Sequence, residues 1–560
     1  MASAGPPEEG EGLDPEGLLP PPPALALPLP RSRSSSLSST GSGGRAQLRQ
    51  RVAQLMACVE DVSSGDEEAQ EEVSRSLDQA FLLCGRSARR HGKEPRPLRL
   101  HLVTWNVGTA SPPPEVTSLL HLNSPEPLVD LYVIGLQEVN SKIVSFLSDM
   151  AFDDPWSSFF MAVLSPLGFV RVSSIRMQGL LLLVFAKQAH LPFIRDIRSQ
   201  FTRTGLYGYW GNKGGVTTRM SLYGHSVCFL NCHLPAHMEN TEQRLDDFEH
   251  ILEMQQFDGE SIPGVMDHDI VFWFGDLNFR IEDYGLHFIR ESINKNRFSL
   301  LWEKDQLNMA KKREAILQEF SEGPLRFKPT YKFDLYSNEY DTRGQKMFIW
   351  FNGKKRKPAW TDRILWRVKH HRLPQEEEAT EEEEAEAEAA ISVSLKSYVS
   401  HMTYGISDHK PVTGSFELEM KTLGSDPLVK IHPVGNWTAE QDATVSYSTA
   451  PDFQSSVWDW IGLYKVTFKH PNDYVMYAWV QDNEISSGDE AKQVYLGAEE
   501  LPSSGGEFLL GYFSNQMQSL VGLSQPFQIQ PNRTLPEKDA FWDGIEDAEK
   551  PRSEKAPCDF

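Results

Sequence analysis

The chain is 560 residues long, with 40% hydrophobic and 24% charged residues, which is enough apolar sequence for two or three domains with buried cores. Its formal net charge of -23 argues against a protein whose whole surface binds nucleic acid, because phosphate binding depends on a broad excess of lysine and arginine. Five cysteines form no disulfide framework and favour a reducing compartment. The longest apolar run, residues 180–186, is too short for the roughly 20 residues of a membrane-spanning helix.

The N-terminal part of the chain divides into a tail and a helical segment. Residues 1–46 are rich in proline, serine, glycine and glutamate and predict a disordered tail, because they bury too little apolar surface to order themselves. Within this tail, Ser34 ends the run Arg31-Ser-Arg-Ser and is a candidate phosphorylation site. Residues 47–96 carry apolar side chains at helical spacing and predict a helical lead-in.

Residues 97–420 predict an α/β catalytic domain, because short apolar runs alternate with helical stretches. Strands are predicted over residues 98–107, 131–136, 180–186, 216–222, 226–232 and 270–274. The segment 375–390 contains nine glutamates and is predicted to be a disordered insert in this domain, since a candidate site motif lies beyond it. Residues 424–530 predict a small β-sandwich, because they consist of short aromatic-rich runs between turn signals. Residues 531–560 predict a second disordered tail.

The strongest local signal for chemistry is the segment Phe272-Trp-Phe-Gly-Asp-Leu-Asn-Phe-Arg280. An apolar strand is predicted to run into its glycine and then to present Asp276 and Asn278 on one face, because they are two residues apart in extended geometry. A carboxylate beside a carboxamide can orient or deprotonate a water while donating a hydrogen bond to a phosphoryl oxygen. A capped turn after a strand would explain Asp276 alone about as well.

Other predicted strands also begin or end in polar groups, and this repetition favours a shared site over a set of capped turns. The groups are Asn106, Glu138, His233, Asp362 and the pair Asp408-His409. Oxygen ligands of this kind suit Mg²⁺, a hard ion that usually keeps several waters and binds one or two carboxylates.

Two segments resemble the signature motifs of the inositol polyphosphate 5-phosphatases, a family within the endonuclease/exonuclease/phosphatase superfamily. They are Trp273-Phe-Gly-Asp-Leu-Asn-Phe-Arg280 and Arg356-Lys-Pro-Ala-Trp-Thr-Asp-Arg-Ile-Leu365. The resemblance covers roughly residues 98–419 and implies a four-layer αββα sandwich, in which two sheets pack together with helices outside. The aromatic-rich C-terminal region resembles the SKICH domain found in a small subset of these enzymes.

The resemblance implies Mg²⁺-dependent hydrolysis of a 5-phosphate by in-line displacement, with no covalent intermediate. It places Asn106, Glu138 and Asp408 on the metal side. The remaining roles are activation of the attacking water by Asp276, contact with the phosphoryl oxygens by Asn278 and His409, control of the His409 tautomer by Asp362, and contact with the scissile phosphate by His233.

The resemblance also implies a set of substrate-binding residues. Four of them would bind the ring 4-phosphate, namely Tyr331, Lys332, Lys354 and Arg356. The fifth, Lys213, lies in a glycine-rich loop and would contact a phosphate of the substrate. Cations around a neighbouring phosphate form charge-assisted hydrogen bonds and fix the ring so that the 5-phosphate meets the metal. A solvated basic loop would explain residues 354–357 in isolation. The expected substrates are phosphatidylinositol 4,5-bisphosphate, phosphatidylinositol 3,4,5-trisphosphate and soluble inositol polyphosphates.

Two alternatives of other classes stay open. A metal-dependent phosphodiesterase or nuclease of the same superfamily fold would share the Gly-Asp-Leu-Asn and Ser-Asp-His elements, since a fold does not fix its substrate. The acidic net charge argues against a nucleic-acid partner. A non-catalytic adaptor would use only the proline-rich tail and the C-terminal domain for binding.

The same resemblance sets expectations about location and partners. We expect a cytoplasmic enzyme that associates peripherally with a phosphoinositide-bearing plasma membrane through its C-terminal domain. Because the site motifs end before Met420, that domain is expected to be dispensable for turnover of soluble substrate. The tail around Ser34 resembles docking sites for 14-3-3 proteins, and its prolines suit proline-binding domains.

Overall fold

The computed structural model describes residues 97–123, 129–140, 154–205, 212–257, 263–342, 356–369, 391–420, 426–485 and 492–531. The predicted N-terminal tail, the helical lead-in and the acidic insert lie outside the described residues, and so does the C-terminal tail beyond residue 531. Among the described helices, none combines the length and the apolar character needed to cross a membrane.

The catalytic part contains strands and helices whose bounds follow the apolar runs of the sequence. The strands are β1 (Leu98–Asn106), β2 (Leu131–Gln137), β3 (Phe169–Met177), β4 (Leu180–Lys187), β5 (Ile194–Arg203), β6 (Gly214–Leu222), β7 (His225–His233), β8 (Ile270–Asp276), β9 (Ser321–Glu322), β10 (Asp362–Val368), β11 (Ile391–Ser400) and β12 (Val412–Met420). The helices are α1 (Pro155–Leu164), α2 (Thr241–Met254), α3 (Leu286–Asn294), α4 (Ser299–Trp302), α5 (Gln306–Lys311) and α6 (Ala315–Gln318).

These strands form two six-stranded sheets. The first has the order β11-β12-β1-β2-β4-β3, and the second has the order β5-β6-β7-β8-β10-β9. In β1, Leu100 and Leu102 join an apolar core that also contains Phe229 and Phe272 of the second sheet, so the two sheets pack face to face. All predicted strands are present, whereas β3, β5, β9 and β11 were not predicted.

Helices cover the outer face of each sheet. Successive side chains of a strand point to opposite faces, and Trp105 accordingly packs with Phe160 of α1 rather than with the second sheet. In the same way, Trp273 of β8 packs against Phe248 of α2, with ring centroids 3.8 Å apart. The layers therefore run helix, sheet, sheet, helix, which confirms the predicted αββα fold.

The sheet register brings particular strand ends together. β1 and β2 are parallel with Asn106 opposite Gln137, and β7 and β8 are parallel with His233 opposite Asp276. β10 runs antiparallel to β8, so its first residue, Asp362, also lies opposite Asp276. Carboxyl ends of parallel strands and the start of the antiparallel strand thus share one edge of the sandwich.

Two glycines allow a close approach beneath this edge: Gly135 lies between the two sheets, and Gly275 lies against the neighbouring strand β7 of its own sheet. A Cβ on Gly135 would lie 2.4 Å from Cε2 of Phe274, and a Cβ on Gly275 would lie 2.0 Å from the carbonyl oxygen of Cys232. Gly275 also has a φ of +139°, which side chains rarely adopt. Glycine in the Gly-Asp motif is therefore required by the backbone as well as by the site.

The C-terminal part is all-β, as predicted. Its strands are β13 (Val429–Val434), β14 (Trp437–Thr438), β15 (Ala443–Thr449), β16 (Trp460–Lys465), β17 (Tyr474–Trp479), β18 (Glu484–Ile485), β19 (Lys492–Leu496), β20 (Gly506–Ser514), β21 (Ser519–Leu523) and β22 (Phe527–Gln530). One sheet has the order β13-β15-β19-β18 and the other β14-β22-β20-β16-β17, with β21 paired to β20. Val445, Leu463 and Leu510 contribute to the core between them.

The β-sandwich packs directly against the catalytic part. Side chains from the sandwich join the same apolar cluster that fills the catalytic sheets, namely Trp460, Tyr464, Phe468, Leu509 and Leu520. Backbone bonds add to this contact: Arg171 of β3 donates to Lys469 at 2.9 Å, and Ile197 of β5 donates to Met517 at 3.2 Å. Both β3 and β5 are edge strands, so the sandwich covers two exposed sheet edges.

Candidate active site

The shared edge carries a buried polar cluster centred on Asp276, which is 1% exposed. Nδ2 of Asn106, at the end of β1, donates to Oδ2 of Asp276 at 2.9 Å. Nε2 of His233, at the end of β7, lies 3.3 Å from the same oxygen. The structure therefore brings three strand-end residues into one hydrogen-bonded group, although they are far apart in the sequence.

His409 lies between two carboxylates. Its Nδ1 is 2.9 Å from Oδ2 of Asp362, and its Nε2 is 3.9 Å from Oδ2 of Asp276. Burial disfavours the charged imidazolium, but these two carboxylates outweigh burial and raise the pKa of His409 to about 9. The hydroxyls of Thr330 and Thr361 donate to Oδ2 of Asp362 at 2.5 and 2.8 Å, which fixes this carboxylate in place.

The Asp276 carboxylate is held ionised in spite of its burial. Burial alone would raise its pKa, but His409, His233 and Lys213 outweigh that penalty and lower the pKa below its usual range. An ionised carboxylate with free acceptor capacity can orient a water molecule and take its proton.

Lys213 approaches the cluster from the loop before β6. Its Nζ contacts Nε2 of His233, and burial lowers the pKa of Lys213 to about 8, even though Asp276 and Glu138 oppose that shift. The pKa of His233 is also lowered, first by burial and then by Lys213. Among the described residues, Nδ1 of His233 has no hydrogen-bond partner, and the ring nitrogen that faces Asp276 and Lys213 is Nε2.

Asn278 does not lie in extended geometry beside Asp276, and that expectation was wrong. The strand ends at Asp276, and Asn278 has a φ of +58°, a left-handed turn that asparagine tolerates. Its Nδ2 donates to the carbonyl of Leu234 at 3.0 Å, and Oδ1 accepts from Arg280. One N–H of the carboxamide remains available for a phosphoryl oxygen.

The remaining predicted metal residues lie at the rim of the cluster. Glu138 follows β2, and its Oε1 is 3.8 Å from Nε2 of His233. Asp408 instead accepts a hydrogen bond from Nζ of Lys332 at 2.5 Å. His409 first, and then Lys332, lower the pKa of Asp408 against the opposing effect of burial.

Several side chains could hold a metal ion. Ligand atoms of Asp276, Asp362 and His409 all lie within 4.8 Å of one another. Asp362 and His409 are already bonded to each other, however, and an oxygen-rich set of Asn106, Glu138 and Asp276 better matches the preference of a hard divalent cation. The donors present therefore fit a metal such as Mg²⁺.

Of the predicted residues for the ring 4-phosphate, Tyr331 and Lys332 contact the loop of His409, and Arg356 contacts neighbouring segments. The Tyr331 ring is 4.5 Å from the His409 ring. A guanidinium nitrogen of Arg356 is 3.4 Å from Nδ1 of His237, and the Arg356 backbone donates to Asp341 at 3.2 Å. Lys354 lies outside the described residues, as does Ser34.

Sequence reasoning missed residues that support the site. Arg280 is buried, contacts Asn278, and places its guanidinium carbon 4.5 Å from the centre of the Tyr331 ring. The hydroxyl of Ser407 donates to the carbonyl of Asn106 at 2.7 Å, and it thereby ties the loop that carries His409 to the end of β1. Arg280 and Ser407 both lie within the motifs that the sequence analysis singled out, and this position could have identified them as site residues.

A four-layer αββα sandwich with an ionised carboxylate, imidazoles and cations at one sheet edge defines an endonuclease/exonuclease/phosphatase-type hydrolase. Residues 103–415 match the model of endonuclease/exonuclease/phosphatase family 2, and residues 429–529 match that of the SKICH domain.

Similar proteins of known name identify the particular family within this superfamily. The chain is 53% identical over 446 residues to inositol polyphosphate 5-phosphatase K of Mus musculus, across 80% of this chain and 92% of the relative. It is 51% identical to the Mus musculus phosphatidylinositol 4,5-bisphosphate 5-phosphatase A across 77% of this chain, but it spans only 42% of that relative. A solved 5-phosphatase domain of a synaptojanin, in complex with inositol (1,4)-bisphosphate and calcium, aligns at 26% identity with a TM-score of 0.47, covering 62% of this chain and 91% of the other. The chain belongs to the inositol polyphosphate 5-phosphatase family and is a phosphoric monoester hydrolase.

Proposed function

We propose that this enzyme uses Mg²⁺ to hydrolyse the 5-phosphate of phosphatidylinositol 4,5-bisphosphate and phosphatidylinositol 3,4,5-trisphosphate. Soluble inositol polyphosphates are further substrates in this proposal. The reaction lowers phosphoinositide signalling at the cytoplasmic face of a membrane. Two relatives carry names that specify 5-phosphatase activity on inositol polyphosphates and on phosphatidylinositol 4,5-bisphosphate.

The observation that carries the proposal is the ionised Asp276 between His233 and His409. Asp276 orients the attacking water and accepts its proton, while the new phosphorus–oxygen bond forms in line with the bond to the ring oxygen that breaks. The departing ring oxygen takes up a proton from solvent and leaves as a hydroxyl, and Asp276 returns its proton to solvent. Asp362 holds His409 so that its Nε2 faces Asp276, beside which the reacting phosphate would bind. No covalent enzyme intermediate is required.

Other residues of the cluster bind and orient the phosphate. Asn106 and Glu138 would hold the metal together with Asp276, with Asp408 assisting from the rim. When bound, Mg²⁺ supplies positive charge beside the phosphoryl oxygens. His233 and Lys213 contact each other and add polar groups beside Asp276.

Substrate selection is assigned to the cations around Tyr331. Lys332 and Arg356 would bracket the ring 4-phosphate, with Lys354 from the segment outside the described residues. Charge-assisted hydrogen bonds to that phosphate fix the ring and present the 5-phosphate to Asp276. A phosphodiester in a nucleic acid offers no second monoester for these cations to hold.

The test is phosphate release by the full chain from a panel of phosphoinositides and inositol phosphates, with Mg²⁺ and with a chelator. We expect 5-phosphate release that requires Mg²⁺, and preference for substrates that also carry a 4-phosphate. Duplex DNA serves as the competing substrate, and an Asp276→Asn variant measures contaminating phosphatase. Cleavage of DNA without release of inositol phosphate would overturn the assignment in favour of a nuclease, and inactivity on every substrate would favour an adaptor.

The proposal also covers the location of the enzyme and the partners of its N-terminal tail. We propose peripheral association with the plasma membrane, supported by the lipid name of one relative, and 14-3-3 binding at phosphorylated Ser34. Peptides spanning residues 31–39, with and without the phosphate, can be titrated against a 14-3-3 protein. Equal weak binding of the two peptides would remove Ser34 from the proposal.

A further inference from the structure

An exposed apolar tip lies next to the candidate active site. Leu335 is 57% exposed and Tyr336 is 81% exposed. They are consecutive residues at the end of a short hairpin closed by the bridge between Phe333 and Tyr340. Two adjacent large apolar side chains in water, on a loop that begins directly after Lys332, suggest a surface that is covered during function.

The tip is held rigidly. The backbone N–H of Tyr336 donates to Gly405 at 2.6 Å, and a Cβ on Gly405 would lie 2.8 Å from the Tyr336 Cα. The buried ammonium of Lys410 donates to the carbonyl of Ser337 at 3.0 Å. Tyr336 also has a φ of +55°, a conformation that large side chains seldom adopt and that requires support from its surroundings.

The same loop is attached to the catalytic cluster. The N–H of Phe333 donates to the carbonyl of Asp408 at 2.9 Å, and the Lys332 ammonium lies 2.5 Å from the Asp408 carboxylate. The apolar tip is therefore connected by a few residues to Lys332 on one side and to the loop of His409 on the other.

Charge around the tip favours one kind of partner. Asp334, the acid that precedes the tip, accepts from the Thr342 N–H at 3.0 Å and from its hydroxyl, so its charge is directed into the loop. Glu339 is a second, exposed acid of the same hairpin. Two cations lie near the tip: Lys332 precedes it by three residues, and the backbone N–H of Arg356 donates to Asp341, whose own N–H donates to the carbonyl of Lys332. Apolar and aromatic side chains beside cations match an anionic lipid surface, where the rings enter the interface and the cations meet headgroups.

We propose that Leu335 and Tyr336 insert into the lipid surface that carries the substrate and thereby set the depth of the headgroup relative to Asp276. The inference rests on the proposed phosphoinositide activity and extends it from the headgroup to the bilayer. Docking through this tip makes the enzyme distinguish a membrane-embedded substrate from a soluble one that has the same phosphates.

The experiment compares two substrates for the full chain and for the double variant Leu335→Ser/Tyr336→Asn. Asparagine tolerates the positive φ at position 336, so the loop keeps its path. The substrates are phosphatidylinositol 4,5-bisphosphate in vesicles of phosphatidylcholine and phosphatidylserine, and soluble inositol 1,4,5-trisphosphate. A matched control, Met254→Ser, removes another exposed apolar side chain, 59% exposed at the C-terminal end of α2.

We expect the double variant to lose about tenfold in kcat/KM on vesicles, to sediment less with those vesicles, and to keep its activity on the soluble trisphosphate. Met254→Ser should leave both activities unchanged. Equal losses on the two substrates would overturn the proposal by showing that the tip supports the Asp408 loop, and unchanged vesicle turnover would overturn it directly. A wild-type enzyme active on the soluble substrate alone would refute membrane docking but not the phosphatase, whereas inactivity on both would refute both.

Discussion

Nδ1 of His409 lies 2.9 Å from Oδ2 of Asp362, and this bond joins two motifs that are 47 residues apart in the sequence. The acidic segment predicted to be an insert lies between them, so the chain must return to the same sheet edge after that segment. The pairing fixes which ring nitrogen of His409 is directed toward Asp276.

Replacing Asp362 tests this relationship. Asp362→Asn retains the shape of the side chain but removes the charge that stabilises the imidazolium, so kcat should fall by about 10²-fold or more with a small change in KM. Initial rates of phosphate release from soluble inositol trisphosphate provide the measurement. Thr330→Val, which removes the hydroxyl bond of Thr330 to Asp362 and leaves the carboxylate charge in place, should be far milder; comparable effects of the two variants would contradict the role of the charge.

Asp276 gives a second prediction, in which chemistry and stability are separated. Both Asp276→Asn and Asp276→Ala should lower kcat by at least about 10³-fold if this carboxylate activates the water. Because the side chain is buried among His233, His409 and Lys213, the alanine variant should also unfold at lower urea, since it leaves buried cations unpaired. The asparagine variant should lose less stability. More than about a tenth of wild-type activity in either folded variant would contradict the assignment.

The sequence predicted the sheets better than the details of the site. Buried strands such as β1 and β8 are continuous apolar runs, so their positions and polar ends could be inferred from the sequence alone. The edge strands β3, β5 and β11 alternate with polar residues, and β3 and β5 each bond to the β-sandwich through the backbone. The local sequence of these strands does not predict their contact with the β-sandwich.

Neighbouring motif residues also have different roles that only the fold distinguishes. Asp362 faces the reacting cluster, whereas the next residue, Arg363, is fully buried and bonds Asp305 at 2.9 Å and Glu322 at 2.6 Å. Successive side chains of a strand point to opposite faces of the sheet, but the residues that pack against each face come from distant segments of the chain. Similarly, the side chain of Asn278 donates to the carbonyl of Leu234, a partner from a distant segment that the local sequence does not identify.

Substrate selection is tested at the cation pair. Lys332→Ala/Arg356→Ala should weaken turnover of a substrate with 4- and 5-phosphates far more than that of one with the 5-phosphate alone, because each lost charged hydrogen bond contributes about 1.5–3 kcal/mol. The ratio of kcat/KM values for the two substrates is the readout. Equal losses on both would indicate that Lys332 acts only through its bond to Asp408.

The β-sandwich gives a prediction that differs from the expectation based on sequence. Although the catalytic strands end at Met420, deletion of residues 424–560 would expose the apolar side chains that pack against Trp460 and Tyr464, and it would uncover the edge strands β3 and β5. The truncated chain should therefore be less stable and more prone to aggregate. Thermal unfolding and light scattering measure this directly. A monomeric truncated chain with wild-type stability and soluble-substrate activity would restore the view of the sandwich as a separable module.

A histidine cluster remote from the catalytic carboxylates predicts how stability depends on pH. The His101 ring is 4.6 Å from that of His121, which in turn is 6.3 Å from that of His401. Burial, followed by repulsion from His121, lowers the pKa of His101 to about 3 and that of His401 to about 4. In the unfolded chain these groups return to an ordinary value of 6.5, so the unfolded state binds more protons over the intervening range.

The difference in bound protons between the folded and unfolded states sets the direction in which stability changes with pH. The stability contributed by the neutral histidines is complete above pH 6.5 and is lost as the pH falls toward their folded values. Between pH 7.5 and 5, each buried histidine should remove about 1–2 kcal/mol from the free energy of unfolding. Urea unfolding at the two pH values should show a smaller loss for His401→Gln than for the wild type, whereas His287→Gln, at a side chain that is 95% exposed, should behave as the wild type does. An unchanged pH dependence in His401→Gln would show that this cluster does not control acid stability.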